Sequence, residues 1–174
     1  MNRRSLVLSA LAAGFAQVAV AGPQFQEMTE WSRFFTDADA QGSIVVLDAR
    51  GKSATTHVYN VSRAYQRYSP ASTFKIPHSL FALDSGLLRD EFQLIPWDGV
   101  KRSAAAWNAD QNLRSAMRNS TVWVYERFAK ELGDARETAY MHKIGYGNAV
   151  ATGDKPFWVE GDLAISSVEQ IAFL

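Results

Sequence analysis

The sequence predicts an α+β fold, in which a small antiparallel sheet comes before a helical lobe. Two β-branched runs, residues 43–49 and 56–61, lie on either side of the polar, glycine-containing residues 50–53. Two such runs around a turn of this composition are typical of a hairpin. The residues after the hairpin carry apolar side chains mainly at helical spacing. Strands followed by helices in this order indicate an α+β domain.

The helix before the hairpin and the first helix after it are predicted from their apolar residues. Trp31, Phe34 and Phe35 occur at helical spacing, which predicts an amphipathic helix over residues 28–38 with its aromatic face on the core. Residues 72–83 are apolar enough for a buried helix, which a glycine at position 86 closes. The proline at position 77 lacks the N–H that would donate to a carbonyl one turn earlier, so it conflicts with a helix at this position. Such a conflict close to a candidate site is typical of functional regions.

Three further helices are predicted over residues 110–117, 121–132 and 135–144. Asn119 is the expected left-handed stop of the first, and Ser120 is the expected N-cap of the second. A turn then leads into a loop over residues 149–164. Ser166 and Glu169 have the spacing of a capping box, which predicts a last helix running to the end of the sequence.

The first 21 residues have the layout of a secretory signal peptide. Two arginines precede an apolar stretch, and small residues at 19–21 form a cleavage site. The apolar stretch is shorter than the roughly 20 residues that a membrane span needs, which favours cleavage over a membrane anchor. We therefore expect cleavage after Ala21, export to the periplasm, and no stable membrane association of residues 22–174.

The two predicted strands are too few to cover the apolar faces of the helices, and the sequence stops inside an apolar helical stretch. We therefore expect residues 22–174 to be the N-terminal part of a domain that continues after Leu174.

Composition excludes several classes of function. The 174 residues include 18 Lys+Arg, 18 Asp+Glu and no cysteine. A chain with zero net charge lacks the positive field that a phosphate backbone attracts, so nucleic acid is not an expected partner. The absence of cysteine excludes disulfide frameworks, thiol nucleophiles and cysteine-ligated zinc. His57, His78 and His142 show no paired ligand spacing, so we interpret them as ordinary histidines and expect no metal site.

Ser72 and Lys75 form an S-x-x-K tetrad at a predicted helix start. Three residues along a helix rotate by about 300°, which brings the Lys75 amine over the same face as the Ser72 hydroxyl. Serine becomes a nucleophile when an adjacent base takes its proton, and apolar neighbours such as Phe74 favour the neutral amine that this base requires. The helix N-terminus would stabilise an oxyanion. Alone, the tetrad is more typical of a solvated serine at a helix start and a lysine whose amine reaches solvent.

Three further stretches give the tetrad a context. S-P-A-S-T-F-K-I-P-H surrounds Ser72, and S-T-V begins at Ser120, Y-G-N at Tyr146 and F-W-V-E-G at Phe157. In order and approximate separation, these stretches resemble the class D (oxacillin-hydrolysing) serine β-lactamases over residues 31–174. The resemblance implies the fold of the penicillin-recognising serine β-lactamases and transpeptidases.

The resemblance implies three catalytic roles. Ser72 would be the acylated nucleophile. Lys75 would react with CO2 to form a carbamate (N6-carboxylysine), the base for acylation and deacylation, so that CO2 or bicarbonate is needed but no cofactor or metal. Ser120 would relay a proton to the departing lactam nitrogen, although a helix N-cap explains this serine equally well.

It also implies roles for the surroundings of these three residues. Phe74, Val122, Trp158 and Val159 would form an apolar wall that favours the neutral Lys75 amine, with the Trp158 indole N–H bonding the carbamate. Simple core packing is the alternative for Trp158. Three consecutive residues would shape the rim of the substrate site: Tyr146, Gly147 and Asn148. The same tripeptide is also common in ordinary turns.

One motif of the family does not occur. The K-[ST]-G sequence should follow Trp158 on a strand that supplies a second oxyanion donor, and it is absent. The stretch Lys143-Ile144-Gly145 does not replace it, because this stretch precedes Tyr146 and lies at a helix end. The resemblance implies hydrolysis of penicillins and oxacillin-type β-lactams. The alternatives are a penicillin-binding sensor that does not turn over, a DD-peptidase, and an inactive truncated product. The sequence predicts neither the β-lactam spectrum nor the oligomeric state.

Overall fold

The structure is a computed structural model that describes residues 24–152 and 156–174; the predicted signal peptide lies outside them. The strands are β1 (Gln24–Glu27), β2 (Ile44–Asp48), β3 (Thr55–Tyr59), β4 (Arg67–Tyr68) and β5 (Ile165–Ser166). The α-helices are α1 (Arg33–Thr36), α2 (Val61–Tyr65), α3 (Lys75–Asp84), α4 (Leu113–Arg118), α5 (Val122–Leu132), α6 (Asp134–Ile144) and α7 (Ser167–Phe173). Short 3₁₀ helices cover Thr29–Ser32, Ala71–Phe74 and Ala105–Trp107.

The predicted hairpin is confirmed as the antiparallel pair β2 and β3, in which Ile44 lies opposite Tyr59. Strand β1, which the sequence pattern did not predict, pairs in parallel with the other edge of β3 and places Gln24 opposite Thr55. This strand is four residues long and contains no β-branched residue, so its sequence carries little strand signal, and pairing with β3 holds it in the sheet. Strands β4 and β5 form a separate two-stranded antiparallel sheet beside the helical lobe.

The aromatic residues before the hairpin are helical, as predicted, but the helix is split into a 3₁₀ turn and the single turn of α1. The expectation that all three face the core is wrong, because Phe34 is 54% exposed. Phe35 instead stacks on Tyr59 with ring centroids 5.2 Å apart, and Trp31 lies 6.5 Å from the His57 ring. Through Trp31 and Phe35, this segment therefore packs against side chains of β3.

The core lies in the helical lobe, around α5. Buried side chains follow one face of α5, as the apolar stripe predicted, and the helix packs against α3 and α6. The two aromatic residues of the loop before α7, Phe157 and Trp158, are buried as well. Phe74 is fully buried at the centre, and four aromatic rings lie 5.4–6.3 Å from it: those of Phe81, Tyr146, Phe157 and Trp158.

Pro77 does not interrupt α3. The residues before this helix form a 3₁₀ turn, so that Pro77 is only the third residue of the α-helix. In the first turn, N–H groups have no carbonyl partner within the helix, and proline is tolerated there. The helix therefore runs on to Asp84, and Gly86 follows it with φ +75°, in the left-handed conformation that a closing glycine adopts.

The junction between α4 and α5 differs from the prediction. Asn119 has φ −90° and ψ 0°, whereas Ser120 has φ +51°, so the left-handed residue is Ser120. The N-cap of α5 is Thr121, which makes no side-chain capping bond. The Ser120 hydroxyl is therefore not used to cap a helix.

The capping box at Ser166 and Glu169 is confirmed at the start of α7. No helix in residues 24–152 or 156–174 combines the length and the apolar character that a membrane span requires.

Candidate active site

Ser72 is an exposed residue of the 3₁₀ turn that leads into α3. The Ala71 N–H donates to the Trp158 carbonyl at 2.8 Å, and the Ser69 hydroxyl donates to the same oxygen at 2.7 Å. Ala71 has φ +47°, a left-handed conformation that costs energy for a residue with a Cβ. The two bonds to Trp158 therefore hold the backbone that presents the Ser72 hydroxyl.

Lys75 is the first residue of α3 and is only 2% exposed. Its Nζ donates to Ser72 Oγ at 3.1 Å and lies 5.4 Å from the centroid of the Tyr125 ring. Within the described residues, no carboxylate forms an ion pair with Lys75. Burial lowers the pKa of Lys75, because the charged amine loses its hydration. The site thus favours the neutral amine that can accept a proton.

Ser120 lies on the other side of the Ser72 hydroxyl. Its Oγ donates to Ser72 Oγ at 3.1 Å, although the two serines are 48 residues apart in the chain. The alternative interpretation of Ser120 as a helix N-cap is wrong, because Thr121 occupies that position. The Ser72 oxygen therefore has a buried amine on one side and a second hydroxyl on the other.

The predicted wall around Lys75 is only partly buried. Phe74 is fully buried and Trp158 is 1% exposed, and their rings stack with centroids 5.8 Å apart. Val122 is half-buried, whereas Val159 is 47% exposed and is not part of the buried surroundings. The Trp158 Nε1 atom is buried without a hydrogen-bond partner. A buried donor left unpaired is costly, so this indole N–H is suited to an acceptor placed beside it.

Tyr146 is not a rim residue, contrary to the prediction. Its side chain is fully buried, and its hydroxyl donates to Gln170 Oε1 at 2.9 Å. Gly147 has φ +55°, and a Cβ there would lie 2.1 Å from the Ala164 carbonyl oxygen. Asn148 donates through Nδ2 to the Asp162 carbonyl at 2.6 Å. These contacts join the end of α6 to the segment before α7.

Sequence reasoning missed a buried pair beneath the site. His78 and Glu137 are both fully buried, and His78 Nε2 lies 2.6 Å from Glu137 Oε1, although the contact does not have hydrogen-bond geometry. The His78 ring lies 5.1 Å from the Phe74 ring and 5.2 Å from the Trp158 ring. Nothing in the sequence links a residue of α3 to one of α6, so only the fold shows this pair.

Together, these contacts suit acyl transfer, in which a serine attacks a carbonyl while a neighbouring base removes its proton. A family model described as "Penicillin binding protein transpeptidase domain" matches residues 42–174. The chain therefore belongs to the penicillin-binding protein transpeptidase family.

Within that family, its relatives are class D β-lactamases, as the sequence predicted. Beta-lactamase OXA-20 of Pseudomonas aeruginosa is 54% identical over 172 residues, which cover 98% of this chain and 65% of that protein. Beta-lactamase OXA-2 of Salmonella typhimurium is 58% identical over 149 residues, which cover 85% of this chain and 54% of that protein. The chain thus spans between about half and two thirds of these curated relatives.

Among solved structures, the class D β-lactamase from Sebaldella termitidis matches with a TM-score of 0.82 at 33% identity. The match covers 87% of this chain and 61% of that one. The mixed α+β transpeptidase-like fold expected from the sequence is confirmed by this likeness.

Proposed function

We propose that the protein is a serine β-lactamase that hydrolyses penicillins and oxacillin-type antibiotics through an acyl intermediate on Ser72. The observation that carries this proposal is the position of Ser72 Oγ, 3.1 Å from the buried Lys75 Nζ and 3.1 Å from Ser120 Oγ. The similarity to class D β-lactamases supports the choice of β-lactams over peptides.

In the acylation step, Ser72 Oγ attacks the carbonyl carbon of the lactam. The hydroxyl proton moves to the base at Lys75, and the carbon–nitrogen bond of the lactam breaks. Ser120 donates its proton to the departing nitrogen and recovers one from the base. In deacylation, a water gives a proton to the same base and its oxygen attacks the ester, which releases the product acid and restores the Ser72 hydroxyl.

The base is proposed to be Lys75 carrying a carboxyl group from CO2. The neutral amine binds the carbon of CO2 and loses one proton, which leaves a negatively charged carbamate. Two observations support this modification: burial lowers the pKa of Lys75, and the unpaired, buried Trp158 Nε1 can donate to a carbamate oxygen. No metal or other cofactor is required for this chemistry.

We also propose that the protein acts in the periplasm, where β-lactams arrive from outside the cell. The layout of residues 1–21 as a cleavable signal supports export.

The test uses the protein expressed from its complete reading frame. The protein is mixed with a penicillin and its intact mass is recorded, and hydrolysis of a chromogenic cephalosporin is followed in parallel. Ser72→Ala is expected to abolish the acyl adduct and to lower turnover by a factor on the order of 10⁶. Ser53→Ala, at an exposed serine of the hairpin turn, is the matched control and should keep both activities.

The alternative functions give different results. A stable adduct on Ser72 without turnover would indicate a sensor, and preference for a D-alanyl peptide over the lactam would indicate a DD-peptidase. An adduct that persists in Ser72→Ala would contradict the assignment of the nucleophile.

A further inference from the structure

Ser120 has an unfavourable backbone conformation. Its φ of +51° is left-handed, where the Cβ of a residue other than glycine crowds the neighbouring backbone. Such a conformation persists only where the surrounding structure holds it, and observed cases concentrate at functional sites. The Ser120 N–H donates to the Met117 carbonyl at 3.2 Å, and the Thr121 N–H donates to the Ala116 carbonyl at 2.9 Å. These bonds close α4 on one side of Ser120.

Trp107 holds the other side. Its indole Nε1 donates to the Asn119 carbonyl at 2.9 Å. This carbonyl belongs to the planar peptide group that joins Asn119 to Ser120, so a bond that orients the carbonyl constrains ψ of Asn119 and φ of Ser120 together. No other residue of the Ala105–Trp107 turn has a side chain that could make this bond. The Asn119–Ser120 peptide group is thus held at its N–H by the Met117 carbonyl and at its C=O by the Trp107 indole N–H.

Trp107 is itself supported from the core. The indole Nε1 of Trp123, a buried residue of α5, donates to the Trp107 carbonyl at 3.0 Å. The buried side-chain amide of Gln111 donates to the neighbouring Ala106 carbonyl at 3.0 Å. Two consecutive indole-to-carbonyl bonds thus connect the centre of the helical lobe to the peptide before Ser120.

We propose that Trp107 is a positioning residue for Ser120, and that Trp123 supports it in that role. The inference rests on the proposed function, because it assumes that the Ser120 hydroxyl takes part in acylation. Loss of the indole N–H would remove one of the two bonds that hold the Asn119–Ser120 peptide group, and the Ser120 hydroxyl would spend less time 3.1 Å from Ser72 Oγ. Proton transfer would slow, whereas binding of the substrate before the reaction would not change.

Trp107→Phe removes the N–H and keeps an aromatic ring of similar shape. The matched control is Trp97→Phe, which also removes an indole-to-carbonyl bond, from Trp97 Nε1 to Val100 O at 3.2 Å, in a loop away from Ser120. Single-turnover acylation by a chromogenic cephalosporin gives the rate constant and the apparent binding constant separately. We expect Trp107→Phe to lower the rate constant by about 5- to 10-fold, the effect of one lost hydrogen bond. Trp97→Phe should leave it unchanged.

The decisive comparison repeats Trp107→Phe in a Ser120→Ala background. If Trp107 acts through Ser120, the second substitution should change the acylation rate by less than about 2-fold once the hydroxyl is gone. Thermal melting of each variant shows which losses come from unfolding. Additive effects in the double variant, or a change confined to the binding constant, would overturn the positioning role while leaving the proposed function intact. Absence of any Ser72 adduct in the unmutated protein would overturn both.

Discussion

The helical lobe and the three-stranded sheet differ in how far their large side chains are buried. In the lobe, Phe74, Tyr146, Phe157 and Trp158 are at most 2% exposed. On β1, β2 and the segment between them, Phe25, Phe34, Val46 and Leu47 are 42–54% exposed. The contacts that join Ser72, Lys75 and Ser120 all lie within the lobe. The relative positions of Ser72, Lys75 and Ser120 are therefore set by direct contacts within the better-packed region.

The largest expected effect comes from comparing one lysine in each region. Lys75 is buried beside Ser72, whereas Lys52 is exposed in the hairpin turn. Lys75→Ala should lower β-lactam hydrolysis by about 10²–10⁴-fold, the usual contribution of a general base. Lys52→Ala should leave the rate unchanged, and equal losses in the two variants would contradict the assignment of the base.

The proposed carbamate on the same lysine predicts that activity depends on CO2 and pH. Because a carbamate forms only on the neutral amine and decomposes when protonated, we expect the rate to fall as the pH falls and in CO2-depleted buffer, and to recover with bicarbonate. Trp158→Phe should raise the bicarbonate concentration needed, since a buried donor is worth about 1–3 kcal/mol. Rates that do not respond to bicarbonate at any pH would instead leave a free amine as the base.

A second comparison uses one phenylalanine from each region and measures stability. Phe74→Ala removes the fully buried ring at the centre of the aromatic cluster and should lower the free energy of unfolding by about 3–5 kcal/mol. Phe34 is 54% exposed, so Phe34→Ala should change it by no more than about 0.5 kcal/mol. Urea unfolding of the two variants measures the difference, and a large loss at Phe34 would mean that the sheet is more tightly packed than the structure shows.

The smallest effect concerns two carboxylates that each pair with an arginine. Arg67 lowers the pKa of Glu169 from its ordinary value of 4.5 to about 2, and Arg50 lowers the pKa of Asp48 as well. Glu169 meets Arg67 from 102 residues away, so unfolding separates them, whereas Asp48 and Arg50 are two residues apart and stay close in the unfolded chain.

Because the pKa of folded Glu169 is depressed, its stabilisation is present above pH 4.5 and is lost as the pH falls towards 2. Glu169→Gln should therefore flatten the decline of the free energy of unfolding across this range, and Asp48→Asn should not. The effect is modest, because the Glu169 pair is partly exposed to solvent. If the free energy of unfolding depended on pH in the same way for Glu169→Gln and the unmutated protein, the Arg67–Glu169 pair would not contribute to acid sensitivity.

The sequence predicted the features that depend on neighbours along the chain. The S-x-x-K spacing places Lys75 over Ser72 because a helix turn brings residues three apart together, and the capping box at Ser166 is equally local. The hairpin and the α5 stripe follow from short-range patterns as well.

The features it missed depend on contacts between distant segments. Strand β1 is four residues long with no β-branched residue, and its partner is the edge of the distant strand β3. The assignment of Ser120 as an N-cap failed because Ser120 is left-handed and its hydroxyl donates instead to Ser72 Oγ, 48 residues away in the chain. The pairing of His78 with Glu137 joins two helices whose packing no local pattern specifies.

The carbonyl of Trp158, which accepts from both Ala71 and Ser69, makes the turn before the nucleophile and the loop before α7 one cooperative unit. The loop cannot move away from α3 without releasing the Ala71 amide, so a local opening of the loop also releases the backbone that aims Ser72. Amide hydrogen exchange at Ala71 would then report the free energy of this opening.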